Sequence, residues 1–118
     1  MDSRISLGKL GEKYAKRYLW WRGYRVLTQN YRRRAGEVDL ICQKSGIIIF
    51  VEVKTRRNTE AGWPEEAVTP EKIRKIAVAG QLYLLENKIN ANWQIDVISI
   101  FLNEKNKPME MKHFKNVS

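Results

Sequence analysis

Two acidic residues and a lysine interrupt a pair of apolar, strand-like runs in the first half of the chain. Asp39 lies in the run 36–42, and Glu52 and Lys54 lie in the run 47–55. Two such runs joined by a short polar segment that contains glycine predict a β-hairpin. Charged side chains are rare in buried strands, so these three residues are the first candidates for chemistry.

The alternation of side chains along a strand predicts that these residues share one face of the hairpin. If Cys42 and Ile47 close the turn, Glu37 lies opposite Glu52, and Asp39 and the lysine project from the same side. Three neighbouring carboxylates repel one another and need a compensating cation. That cation is either the lysine or a metal ion. The purely structural alternative is a salt-bridged cluster on the exposed face of the hairpin.

Carboxylate oxygens are the ligands that Mg²⁺ and Mn²⁺ prefer, and a magnesium site needs only one or two of them from the protein. Asp39 and Glu52 could supply both, and the carbonyl of Val53 could add a third oxygen. An ion of this kind polarises a phosphoryl oxygen and lowers the pKa of a bound water. Lys54 could orient that water and neutralise charge that develops on the phosphate. The pattern predicts metal-dependent hydrolysis of a phosphodiester.

The charge distribution predicts a nucleic-acid partner. Residues 1–57 contain 14 Lys or Arg and 5 Asp or Glu, whereas residues 58–118 contain 8 of each, so the net charge of +9 arises in the first half. Lysine and arginine contacts to phosphates supply most of the sequence-independent affinity for nucleic acid. A basic surface that serves only solubility is the alternative. The candidate phosphate-binding arginines flank the hairpin and are Arg32, Arg33, Arg34, Arg56 and Arg57.

Composition excludes several other classes of protein. With 43% hydrophobic and 30% charged residues, residues 1–118 are expected to form one ordered domain. Cys42 is the only cysteine and His113 the only histidine, so an intramolecular disulfide, a histidine-based metal site and a Ser-His triad are excluded. His113 is expected at the surface, and Asp96, which breaks an apolar run, is expected to have a basic partner. The longest apolar run and the N-terminal residues predict no membrane span and no secretory signal, hence a cytoplasmic protein.

Periodicity and capping residues predict the elements that position these side chains. They are a helix between Ser6 and Gly23, a strand at 24–31, the two hairpin strands, a helix from a Thr69 cap to about Asn87, and strands at 93–102 and 108–114. A helix between the second hairpin strand and the next strand makes those two strands parallel neighbours. The expected fold is α/β, a mixed sheet of four to five strands flanked by helices in the order α-β-β-β-α-β.

An acid on one strand and Glu-x-Lys on the next, within this order of elements, resembles the PD-(D/E)xK nuclease superfamily and its restriction-endonuclease-like core. The similarity narrows to the small bacterial YraN-like predicted endonucleases. It runs over nearly the whole chain and rests on GEVDLI at 36–41, FVEVKTR at 50–56, EAV at 66–68 and Lys72. Val38 stands where the superfamily has its proline.

The resemblance implies a role for each matching residue. Asp39 and Glu52 would be metal ligands and Lys54 the catalytic lysine, with Mg²⁺ or Mn²⁺ as cofactor. Glu12 matches a glutamate that resolvase-like members place near the metal, and Lys72 would contact nucleic acid. Similarity to Holliday-junction resolvases implies branched DNA as substrate and a homodimer.

Two other classes of function compete with a nuclease. One is a non-catalytic DNA-binding or adaptor module with a vestigial site, which would bind DNA without cleaving it. The other is a protein-interaction domain that uses its tryptophans. Of the adjacent Trp20 and Trp21, at most one is expected to face the core, which leaves the other for a dimer contact.

Overall fold

The computed structural model describes residues 6–57 and 62–118. Over these ranges the chain forms two α-helices, one 3-10 helix and five strands. In chain order they are α1 (Leu7–Trp21), β1 (Arg25–Arg33), β2 (Gly36–Lys44), β3 (Ile47–Arg56), the 3-10 helix Pro64–Ala67, α2 (Pro70–Glu86), β4 (Trp93–Leu102) and β5 (Pro108–Phe114).

The five strands form one mixed sheet in the spatial order β1-β2-β3-β4-β5. Strands β1, β2 and β3 are an antiparallel meander, β3 and β4 are parallel across the α2 connection, and β5 returns antiparallel to β4. Helices α1 and α2 cover opposite faces, because each packs its apolar side against a different set of sheet residues. The predicted α/β fold with a mixed sheet between helices is confirmed.

Both helices begin and end where their capping residues predict. The Ser6 side chain accepts the Lys9 N–H at 3.2 Å, and the chain leaves α1 through Gly23, whose φ of +87° suits glycine. Thr69 caps α2 in the same way, and Pro70 occupies its first position. Over the described residues, neither helix combines the length and the apolar character needed to cross a bilayer.

Strand β3 lies at the centre of the core and is packed closely by both helices. Ala15 and Leu19 of α1 pack on its Val51 side, while Ile76 of α2 packs on its Phe50 side. The helices approach so closely that a methyl group on Gly11 would overlap Thr55 and one on Gly80 would overlap the Phe50 ring. These contacts hold β3, and any side chain on it, in a fixed position.

The predicted hairpin register is wrong by two residues. Lys44 pairs with Ile47, so the turn consists of Ser45 and Gly46 alone, with φ values of +53° and +78°. Two residues with positive φ are typical of the tight turns whose twist matches the strands. A shift of two residues leaves every side chain on its predicted face, so the co-facial placement of Asp39, Glu52 and Lys54 survives the correction.

A polar network inside the core joins the last strand to the first helix. Asp96 of β4 is fully buried, and its Oδ2 lies 2.7 Å from Nε2 of His113. Nδ1 of the same imidazole lies 2.9 Å from the Tyr18 hydroxyl. The basic partner expected for Asp96 is therefore His113. The expectation that His113 lies at the surface is wrong, because β5 turns its side chain inward against α1.

Candidate active site

The candidate site lies where the β2–β3 backbone ladder ends. The paired register stops at Leu40 and Val51, one residue before Asp39 and Glu52. Beyond that point the Asp39 side chain replaces a backbone carbonyl as hydrogen-bond acceptor, because its Oδ2 accepts the Val53 N–H at 2.8 Å. This hydrogen bond fixes the Asp39 carboxyl against β3, beside Glu52.

The two acids form a carboxyl pair in which Glu52 is buried and Asp39 is half-buried. Glu52 is only 4% exposed, and burial raises its pKa to about 7, with the nearby Asp39 charge acting in the same direction. Burial also raises the pKa of Asp39, against the lowering effect of its hydrogen bond from Val53. Two carboxyls in such a place cannot both ionise without a cation nearby. The exposed salt-bridged cluster considered from the sequence does not describe this arrangement.

The cation that neutralises Glu52 is Lys72. Its Nζ lies 3.1 Å from Glu52 Oε2, and the Thr69 cap that begins α2 fixes the backbone of this lysine. Lys54, the compensating side chain expected from the sequence, forms no ion pair or hydrogen bond with any described residue. Lys54 is partly exposed and shares the face of Glu52, so its ammonium is available at the mouth of the site.

The expected convergence of three carboxylates is not observed. Glu37 is mainly exposed and pairs with Arg32 at 3.4 Å rather than joining the two buried acids. Within residues 6–57 and 62–118, no three His, Cys, Asp or Glu side chains are grouped closely enough to hold a metal ion by themselves. A metal at the carboxyl pair would therefore take its remaining ligands from water and substrate.

Helix α1 brings Glu12 to the carboxyl pair. The Glu12 carboxyl is partly buried, and its pKa is raised first by that burial and second by the Asp39 charge. The Asn30 side chain lies close to this carboxyl and has the opposite effect on its pKa. Sequence reasoning missed Asn30, although an asparagine inside a strand-like run is a signal for its left-handed φ of +53°.

A row of polar side chains continues from the site across the sheet. Lys54 on β3 is aligned with Ser99 on β4, which is aligned with Lys112 on β5. Glu65 of the 3-10 helix lies over this row, with Oε2 at 3.1 Å from Lys112 Nζ. The other oxygen, Oε1, is buried and has no hydrogen-bond partner among the described residues. The sequence contained no signal for this contact, because it joins segments far apart in the chain.

The five candidate arginines differ in what they contact. Arg33 binds Glu86 at the end of α2, at 3.1 Å, and stacks on Tyr31. Arg57 donates to Asn106 at 2.8 Å. Arg34 and Arg32 are exposed beside the start of β2, whereas Arg56 is half-buried. Arg34 makes no ion pair with a described residue, whereas Arg32 pairs with Glu37 at 3.4 Å but stays exposed.

Removing charge from the buried pair should stabilise the metal-free protein. The raised pKa of Glu52 means that the unfolded chain releases this proton near pH 4.5 but the folded chain only near 7. Stability is therefore lost as the pH rises through this window. We expect Glu52→Gln, unfolded with urea in a chelating buffer, to be about 1–3 kcal/mol more stable than the parent at pH 8.

The stability gain of Glu52→Gln should disappear below about pH 4.5, where Glu52 of the parent is protonated in both the folded and the unfolded state. Glu37→Gln is the control, since that side chain is exposed and paired with Arg32. A Glu52→Gln protein less stable than the parent at pH 8 would show that the Lys72 ion pair outweighs the repulsion.

Comparison with known proteins gives one consistent family. The model of the uncharacterised protein family UPF0102 matches residues 11–100, a range that includes Glu12, Asp39, Glu52 and Lys72. A protein of Syntrophomonas wolfei is 46% identical over 99 residues, covering 83% of this chain and 86% of the relative. One of Caldicellulosiruptor saccharolyticus is 37% identical over 115 residues, covering 97% and 98%. Both carry the description UPF0102 protein.

Proposed function

The chain belongs to the uncharacterised protein family UPF0102, and we propose that its function is metal-dependent hydrolysis of phosphodiester bonds in DNA. The observation that carries this proposal is the Asp39–Glu52 carboxyl pair, with Glu52 buried and Asp39 half-buried, on a strand face shared with Lys54, which makes no ion pair with any described residue. Buried acids with raised pKa values beside a lysine are typical of catalytic sites rather than of structural ion pairs.

The residues of the pair fit Mg²⁺ or Mn²⁺. Asp39 uses only Oδ2 to accept the Val53 N–H, and Glu52 meets Lys72 through Oε2. The two carboxyls also interact with each other, so an ion that binds between them would replace the proton that they share. Magnesium sites commonly contain one or two protein carboxylates and complete their shell with waters and phosphate oxygens. The Val53 carbonyl remains a proposed third ligand.

Each side chain has a distinct task in the proposed reaction. Asp39 and Glu52 would hold the ion, which when bound polarises a phosphoryl oxygen and lowers the pKa of a bound water. Lys54 places a positive charge beside the phosphate, where negative charge accumulates as the nucleophile attacks. Arg32 and Arg34 would bind phosphates of the flanking backbone, and their fork of donors suits that contact.

A second candidate function is a DNA-binding or adaptor module with a vestigial site. The observation in its favour is the 3.1 Å ion pair between Lys72 and Glu52, which already neutralises one acid without a metal. Such a module would bind DNA in a salt-sensitive manner and would be indifferent to Asp39→Ala.

Calorimetric titration with Mn²⁺ separates the two candidates. We expect the parent to bind the ion and Asp39→Ala to bind it much more weakly, because the variant lacks one of the two proposed carboxylate ligands and no substrate phosphate is present to replace it. Glu37→Gln, a neighbouring but exposed acid, should bind like the parent. Equal binding by parent and Asp39→Ala, or none by the parent, would reject the metal site and leave the binding module.

A further inference from the structure

We propose that the groove between α1 and β1 binds unpaired nucleotides of the DNA substrate, next to the cleavage site. This inference rests on the proposed function, and it narrows the substrate class to DNA that has a single-stranded segment beside a duplex. The α1–β1 groove is lined by Lys13, Lys16, Arg17, Trp20, Gly23, Tyr24, Arg25 and Val26.

The groove lies in the most basic part of the chain. Residues 13–36 contain no Asp or Glu, and their eight Lys and Arg side chains are Lys13, Lys16, Arg17, Arg22, Arg25, Arg32, Arg33 and Arg34. Lys16 donates to the neutral amide of Gln29 at 3.0 Å, so its charge is oriented along the groove without being neutralised. A concave surface with one sign of charge attracts a polyanion.

Two tryptophans stand exposed at the end of α1. Trp20 is 67% exposed and Trp21 is 75% exposed, which agrees with the expectation that at most one of them faces the core. Their rings meet edge to face, with centroids 5.2 Å apart and planes at 84°. Large exposed aromatic surfaces mark interaction sites. Aromatic rings within a basic groove are the recurrent means of holding unpaired bases, which stack on them regardless of sequence.

The groove leads from the tryptophans to the carboxyl pair. Glu12, Lys16 and Trp20 are spaced four apart and so lie along one side of α1. Lys16 donates to Gln29 of β1 at 3.0 Å, and Glu12, one turn nearer the start of the helix, is close enough to Asp39 to be affected by its charge, so this side of the helix follows β1 towards the site. Eight helical residues span ~12 Å, roughly three or four stacked nucleotides. A strand whose bases reach Trp20 would thus place its junction near Asp39.

A lipid surface or a second copy of the chain would also cover two tryptophans. Neither of these explains why basic side chains line the same groove as Trp20. An unpaired strand uses the aromatic rings, the positive charge and the direction of the groove together. We therefore assign the groove to DNA, and the other two occupants become outcomes of the test.

The test measures binding of a labelled DNA hairpin, blunt or with a thymidine tail, in a chelating buffer that prevents cleavage. We expect the parent to prefer the tailed hairpin and Trp20→Ala/Trp21→Ala to bind it about ten- to a hundredfold more weakly. Binding of the blunt hairpin should change by less than about twofold. Leu85→Ala, which removes another exposed apolar side chain, at the end of α2, should bind both hairpins like the parent. Circular dichroism checks that each variant is folded.

Equal affinity of the parent and the double variant for the tailed hairpin would overturn the proposal. If the double variant keeps its DNA binding but no longer binds phosphatidylserine vesicles, the groove binds a lipid surface and the proposal is overturned. If it keeps its DNA binding but changes from a dimer to a monomer in ultracentrifugation, the groove binds a second copy of the chain and the proposal is likewise overturned. Because no metal is present, the result does not depend on catalysis. A parent that prefers the tail but never cleaves with Mn²⁺ would count against hydrolysis alone.

Discussion

Replacing Lys54 with alanine is expected to slow DNA cleavage about 10²- to 10³-fold while leaving metal binding unchanged. Its ammonium lies on the face of Glu52 and makes no ion pair with a described residue, so its charge is available to the reacting phosphate. A positive charge that interacts with the phosphate mainly in the transition state lowers the activation barrier for cleavage. It does not change the affinity of the protein for the metal ion. Initial rates of cleavage of a tailed hairpin with Mn²⁺, and calorimetry on the same preparation, measure the two effects.

Two controls make this result specific. Lys75→Ala removes an exposed lysine of α2 that pairs with Glu71 at 3.7 Å, and it should cleave at the parent's rate. Glu52→Gln should lose both cleavage and metal binding, which distinguishes a metal ligand from a lysine that acts on the phosphate. Cleavage that persists in both Lys54→Ala and Glu52→Gln would identify a contaminating nuclease.

The largest expected loss of stability follows from removing the imidazole in the core. We expect His113→Ala to lower the free energy of unfolding by about 3–5 kcal/mol, because it leaves the buried Asp96 carboxylate without its charged or polar partner. The variant also loses the edge-to-face contact with Tyr18, whose ring centroid lies 5.5 Å from that of His113. Urea denaturation at pH 7 measures the change.

The pH dependence gives a second readout of the same network. Burial alone would raise the pKa of Asp96, but hydrogen bonds from His113, Asn116 and Gln94 hold it below its usual range. A lowered pKa in the folded state stabilises the protein above the ordinary carboxyl value and ceases to do so in acid. The cost of His113→Ala should therefore shrink below about pH 4.

A double-mutant cycle with Asp96→Ala isolates the coupling between the two side chains. The double variant should be less destabilised than the sum of the single variants, since removing both partners leaves no unpaired carboxylate. Strict additivity, or a cost below 1 kcal/mol for His113→Ala, would mean that Gln94 and Asn116 satisfy Asp96 without the imidazole.

The sequence predicted the elements well because caps and periodicity act locally. Ser6 and Thr69 begin their helices as expected, and the expected proximity of Asp39 to Glu52 is observed. The hairpin register was not predicted correctly, because the choice between a two-residue and a four-residue turn depends on the positive φ of Ser45 and Gly46. An error of two residues preserves the alternation, which is why the acids were still placed on one face.

Contacts between distant segments could not be predicted in the same way. Lys72 lies 20 positions after Glu52, and only the packing of α2 shows that it reaches the acid ahead of Lys54. His113 looked like a surface residue because an edge strand has no strong pattern, and its burial depends on α1 covering β5 at Tyr18. The pattern of the sequence alone does not show which side chain of one layer contacts a residue of another layer.

The bridge between Lys72 and Glu52 has a consequence for the order in which ligands arrive. In the proposed reaction, a divalent ion that approaches Glu52 competes with the Lys72 ammonium, so it would bind more weakly without DNA than with DNA. Once the ion displaces it, the Lys72 ammonium needs a new counter-charge. A phosphate of a DNA strand that enters beside the first turn of α2 would provide one. Binding of the metal ion and binding of DNA would then each strengthen the other, and the proposed enzyme would be inactive without DNA.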